Sequence, residues 1–238
     1  MPRPANPTGR VPALPGTPAH EHRHCRRGGR DREIDVNITI IGGSKGTGAQ
    51  LATIAIDADH DVTVVSRSGT APAGARIVAG DATDADVLRE AIAGAGAVVV
   101  TVGGAKGVEN QRATVTKAVI AAMEDVGVRR LIVQSSLGAG DSGAQMPAPL
   151  RVLMNAVLAK PLADHNAQEA AVFASDLDWT VIRPTGLKDK PATGTCRALE
   201  VSDEGTLSGS IPRGDVAACM LVSLGDDATI GKALGVSG

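Results

Sequence analysis

Residues 36–238 are predicted to form an α/β domain, a doubly wound parallel sheet with helices on both faces. Three observations carry this. Strand-like and helix-like segments alternate from Asn37 onward. The strand-like segments are nearly continuous in Val and Ile, as strands buried on both faces require. A glycine-rich loop joins the first strand to the first helix.

The first strand is predicted at Asn37–Ile41, followed by the loop Gly42–Gly48 and a helix whose Leu51, Ile54, Ala55 and Ala58 repeat at i, i+3, i+4 and i+7. Strands follow at Asp61–Ser66 and Ala75–Val78. Asp84 is placed to cap the helix "ADVLREAIAGAG", with Gly94 as its stop. A fourth strand is predicted at Ala97–Val102, then a helix with Val115, Val119, Ala122, Met123 and Val126 on one face. A fifth strand at Arg130–Ser135, a helical stretch and a last strand at Trp179–Pro184 complete the pattern.

A chain of 238 residues, 43% hydrophobic and 21% charged, is long enough for a full core. A net charge of −2 provides no basic field for nucleic acid or an anionic membrane surface. No apolar run approaches the roughly 20 residues of a bilayer span. The three cysteines, Cys25, Cys196 and Cys219, are far apart and form no C-x-x-C, so neither disulfides nor a metal site is expected and a cytoplasmic location is. Residues 1–35, rich in Pro, Gly and Arg and without apolar periodicity, are expected to be a disordered tail. The His20, His22, His24, Cys25 cluster in that tail is assigned no site. The domain is expected to start near Val36.

The loop "GGSKGTG" lies between a strand and a helix, the context in which such glycines bind a dinucleotide. Gly42 permits the tight turn, and Gly46 and Gly48 allow a pyrophosphate and the strand to approach. The following helix N-terminus offers unpaired N–H groups to the anion, with Ser44, Lys45 and Thr47 as further donors. At the end of the second strand an NAD site would carry Asp or Glu. This chain has Ser66, Arg67 and Ser68, which suit the 2′-phosphate of NADP(H).

With that loop, and with "GDATDADVL", "VVVTVGG", "LIVQSSLGAG", "DHNAQEAAVFASDLDWTVIRPTGL" and "DVAACMLVSL" in this order, the chain resembles the short-chain dehydrogenase/reductase superfamily. More narrowly it resembles the atypical NAD(P)H-binding branch that holds the NmrA-like proteins and biliverdin-IXβ/flavin reductase. The resemblance implies a single-domain Rossmann-like fold. It places Asp81 and Ala82 at the adenine, Gly103 beside the pyrophosphate and Pro184 in the segment lining the nicotinamide, and Ser135 is also expected to bind cofactor. It places Ser136 at the superfamily's serine position, and His165 near the nicotinamide ribose, where many relatives have Lys. These two are the candidate catalytic residues. Asp164, Gln168 and Glu169 are expected to orient their helix.

The chain contains no tyrosine, so the Y-x-x-x-K acid of the superfamily is impossible. Gly186 stands where the biliverdin/flavin reductase type has His. An isolated ketone reduced by hydride needs a positioned acid, whereas a flavin or quinone spreads the incoming charge and accepts a proton from a weak donor. The expectation is therefore an NADPH-dependent reductase of a conjugated small-molecule acceptor, held under the Thr185–Ser210 loop. The alternative is a regulator of the NmrA-like kind that senses NADP(H) without turnover. Oligomeric state is left open.

Overall fold

The computed structural model describes residues 36–104 and 108–238. The tail expected to be disordered, with its His20–Cys25 cluster, lies outside the described residues. The chain runs β1 (Ile38–Ile41), α1 (Gly46–Ile56), β2 (Val62–Ser66), β3 (Arg76–Ala79), α2 (Ala85–Ile92), β4 (Ala97–Val100), α3 (Gln111–Val126), β5 (Arg130–Gln134), α4 (Ala148–Val157), α5 (Ala159–Phe173) and β6 (Asp178–Pro184). It continues through β7 (Gly186–Lys188), β8 (Arg197–Leu199), β9 (Ser210–Pro212), α6 (Arg213–Leu224) and β10 (Lys232–Ser237). All six predicted strands are present, with ends shifted by one or two residues.

The main sheet has eight strands in the order β3-β2-β1-β4-β5-β6-β10-β8. Every pair is parallel except β10 with β8. Trp179–Pro184 is therefore not the last strand: β10 pairs beside it, Val236 opposite Pro184, and β8 closes the edge. The expected Thr185–Ser210 loop is partly sheet, since it contains β7 and β8, and β7 pairs with β9 in a small second sheet. The reason lies in length and composition. These strands span three residues each, except β10, whose "KALGVS" lacks a Val/Ile run, and only pairing across distant parts of the chain defines them.

Side chains alternate between the two faces of the sheet, and along β1 and β4 every position is buried. Ile38 and Ile40 of β1 pack with Leu51, Ala52 and Ala55 of α1 and Val216, Ala217 and Met220 of α6. Ile41 faces the opposite layer, with Leu88, Val119, Met123 and Val172 from α2, α3 and α5. Each such Val, Leu, Ile or Met side chain contributes about 1.5–3 kcal/mol by leaving water. Thr39, the polar residue of β1, is buried but satisfied by donating to the Ala91 carbonyl oxygen at 2.7 Å.

Strand order reverses at β1, flanked by β2 and β4, so the loops leaving their carboxyl ends diverge and open a crevice. The glycine loop begins there.

Candidate functional site

The glycine loop adopts conformations its residues allow. Gly42 has φ +94°, and a Cβ there would stand 3.1 Å from the Val102 amide nitrogen. Gly48 has no room at all: a Cβ would meet Thr101 Oγ1 at 2.3 Å and the Gly42 carbonyl oxygen at 2.5 Å. Gly48 thus lets α1 press against β1 and β4, and it does not itself line the cleft.

The other helices show what α1 leaves open. Asp84 caps α2 by accepting from the Asp86 and Val87 amides. Asp164, from α5, accepts from the Arg112 and Ala113 amides at the start of α3. The start of α1 has no side-chain cap and no acidic residue in its first turn. Its free N–H groups and partial positive charge face the crevice.

One cleft of about 930 Å³ opens above these elements, within the range of small-molecule and cofactor sites. Gly42, Ser44, Lys45, Gly46 and Thr47 line one part, with Arg67, Asp81 and Ala82 beside them at the ends of β2 and β3. Gly103, Ser135, Ser136, His165 and Pro184 line the rest. The structure thus brings together every expected site residue except Gly48.

Arg67 is exposed and flanked by hydroxyls: Ser66 Oγ lies 3.1 Å from Ser68 Oγ, which lies 2.7 Å from Thr70 Oγ1. Asp81 accepts from the Thr83 hydroxyl and amide, bonds that hold its carboxyl below the usual carboxylate range, with Arg67 adding to the effect.

At the other end His165 is 8% exposed. Its Nδ1 lies 3.4 Å from Ser135 Oγ and 3.3 Å from Gln168 Oε1. Gln168 donates its amide to Thr116 Oγ1, which turns its oxygen toward the ring and favours the tautomer with the proton on Nδ1. Burial, reinforced by the Arg112 charge, pushes the His165 pKa down to about 4, so the ring is neutral at pH 7. It is Ser135, not Ser136, that meets this ring. Ser136, half-buried, donates to the Leu137 carbonyl oxygen at 3.2 Å.

Asp164, Gln168 and Glu169 hold α5 in place, as their positions suggested. Asp164 also pairs with Arg112 at 3.1 Å. Glu169 takes both ends of the buried Arg183 guanidinium, Nε at 2.9 Å and Nη2 at 2.8 Å, and Arg183 reaches Asp141 as well.

Several lining residues had no sequence signal strong enough to single them out. Gln111, Arg112 and Thr185 are isolated polar residues. Leu150, Met154 and Leu158, with Met146 and Leu137, form an apolar wall. Their 150, 154, 158 spacing is that of one helix face, a pattern that marks a helix but does not place it at this cleft. This wall lines the cleft together with residues of the Thr185–Ser210 segment.

The residues fit a dinucleotide by a test internal to the chain. Buried polar atoms normally have partners. Of six buried side-chain atoms without one among the described residues, four, Thr47 Oγ1, Gln111 Oε1, Gln134 Oε1 and Thr185 Oγ1, belong to residues that line this cleft, and Arg130 Nε and Gln145 Oε1 lie elsewhere.

Comparison with known proteins agrees with this geometry. A family model described as NAD(P)H-binding matches residues 42–227. The chain is 27% identical over 212 residues to the uncharacterized sugar epimerase YhfK of Bacillus subtilis (strain 168), covering 83% of this chain and 92% of that protein. ChuY, an anaerobillin reductase from Escherichia coli O157:H7, superposes with TM-score 0.70 at 28% identity, over 84% of this chain and 96% of that one. A wide-type short-chain dehydrogenase/reductase from Veillonella parvula DSM 2008, in complex with NADP, shares the fold at TM-score 0.72 and 17% identity, over 86% of this chain and 95% of that one. The matched segment begins at the first glycine of the loop and ends beyond α6, so the chain belongs to the NAD(P)H-binding family.

Proposed function

We propose that this chain is an NADPH-dependent oxidoreductase that delivers hydride to a conjugated small-molecule acceptor of the flavin or quinone type. The observation that carries it is the continuity of one cleft, from the uncapped start of α1 and the unpartnered Thr47 hydroxyl to Ser135, Ser136 and His165. The similarity to a reductase, and the likeness in fold to a protein in complex with NADP, support the same reading.

In this reading the glycine loop and Thr47 hold the pyrophosphate, and Arg67 with Ser68 and Thr70 holds the 2′-phosphate. Asp81 and Ala82 border the adenine, while Gly103, Ser135 and Pro184 border the far half of the cofactor. A bound reduced nicotinamide supplies a hydride. The chain's own part is to position the acceptor against the apolar wall of Met146, Leu150 and Met154 and to keep water from the reacting face.

His165 does not serve as a cationic acid at neutral pH, because burial keeps it neutral. It orients the Ser135 hydroxyl instead, and a hydroxyl is a weak donor. That strength suffices for an acceptor that delocalises incoming charge and fails for an isolated ketone. The same absence of an acid keeps the sensing regulator as the second reading. Epimerase chemistry, which the name of the relative YhfK suggests, has weaker support, since this chain lacks the tyrosine that such chemistry normally uses. A cytoplasmic location is part of the proposal. No helix among the described residues is long and apolar enough to cross a membrane.

The test is to titrate NADPH by fluorescence and then follow its oxidation with flavin mononucleotide and a quinone panel. Saturable binding with acceptor-dependent oxidation above the uncatalysed rate is expected. Tight binding without oxidation overturns the reductase reading in favour of the sensor.

A further inference from the structure

Arg213, the first residue of α6, is far from the glycine loop in sequence and lies against it in space. Its Nη1 is 3.7 Å from the point where a Cβ on Gly46 would stand. Its Nε donates to Asp189 Oδ1 at 2.7 Å, and neither Nη atom has a hydrogen-bond partner among the described residues. Arg213 and Asp189 both line the cleft. A guanidinium held edge-on through Nε keeps its two Nη groups as a fork suited to a phosphate. That fork lies beside Gly46, the first residue of α1, whose N-terminus has no side-chain cap. Two positive groups thus lie together at the glycine loop, and the one carboxylate hydrogen-bonded to Arg213, that of Asp189, is engaged through Nε.

The same end of α6 grips the neighbouring segment a second time. Asp215 is 2% exposed and accepts from the Thr193 amide and hydroxyl and from the Gly194 amide. The segment that carries Asp189 is therefore fastened to α6 at both ends.

We infer that Arg213 binds the diphosphate of the dinucleotide together with the N-terminus of α1, and that through Asp189 it ties the occupied phosphate site to the segment bordering the acceptor. This rests on the proposed cofactor reading and adds a ligand that the glycine motif does not contain. The diphosphate is common to NADH, NADPH and ADP, whereas the 2′-phosphate is not, so Arg213 and Arg67 act on different ligands.

The experiment is to titrate ADP, NADH and NADPH into the wild-type chain and into Arg213→Ala, Arg213→Lys, Asp189→Asn and Arg67→Ala, with melting curves to confirm folding. Arg213→Ala is expected to weaken all three ligands alike, by about tenfold or more, as loss of charge-assisted bonds to a phosphate predicts. Arg213→Lys should retain part of the affinity. Asp189→Asn should tighten ADP, because it removes a competing anion. Arg67→Ala should spare ADP and NADH. The inference is overturned if Arg213→Ala leaves ADP within about twofold of wild type, if its effect is confined to NADPH, or if Asp189→Asn weakens ADP as much as Arg213→Ala does. The last result would mean that only the ion pair's hold on the segment matters. Failure of the wild-type chain to bind any of the three ligands overturns the cofactor reading itself, and this inference with it. Normal wild-type binding with an indifferent Arg213 overturns the inference alone.

Discussion

Thr47 and His165 show how single side chains give up stability at this site. The Thr47 hydroxyl is buried without a partner, so it contributes nothing to the fold that Val would not. Thr47→Val is expected to leave the melting temperature of the unliganded chain unchanged or slightly raised, while weakening NADPH about tenfold, read by thermal denaturation and titration. His165 has the opposite sign with acid. Its folded pKa of about 4 lies below its ordinary value of 6.5, so the unfolded chain takes up a proton first as pH falls. Stability from this group is complete above pH 6.5 and is lost between 6.5 and 4, by at most about 3 kcal/mol. Denaturant melts at pH 7 and pH 4.5 should show that loss, and His165→Gln should reduce it. Arg67 and the loop glycines were legible as residues because a short motif states their chemistry. The partner of His165 was not: both serines stand in the sequence, and only the direction of each hydroxyl selects Ser135.

The elements are held by charged groups that reach from one element to another. The bidentate Glu169–Arg183 pair joins α5 to β6 with both side chains about 1% exposed. Glu169→Ala leaves the Arg183 guanidinium buried with only Asp141 at its outer end, and the expected cost is about 3–5 kcal/mol by chemical denaturation. Because Ser135 and His165 flank this joint, NADPH affinity should fall with it. The start of α3 depends likewise on Asp164 of the distant α5. The helices α1, α2 and α3 were readable from periodicity and the Asp84 cap, which are local signals. By contrast, α6 and β10 emerged only in three dimensions, since β10 is defined by pairing with β6.

For the molecule as a whole, a ligand that binds only the folded chain must stabilise it. NADPH at a hundred times its dissociation constant should add about 2.7 kcal/mol, visible as a raised melting temperature, and NADH at the same concentration should add less if Arg67 holds the 2′-phosphate. Turnover should be nearly flat between about pH 6 and 8, because the one histidine at the proposed site titrates near 4. A bell-shaped profile centred in that range would overturn the assignment of His165 as a neutral orienting group.

The sequence by itself determined the α/β class, the glycine loop with its strand and helix, the cation at the end of β2 and the absence of a tyrosine acid. Each is written in contiguous residues, through periodicity, glycine spacing or composition. Only the tertiary structure decided that Ser135 meets His165, that α4 supplies an apolar wall, that β10 and β8 extend the sheet and that Arg213 lies over Gly46. These contacts join residues tens of positions apart, and no local pattern encodes which distant surfaces burial will press together.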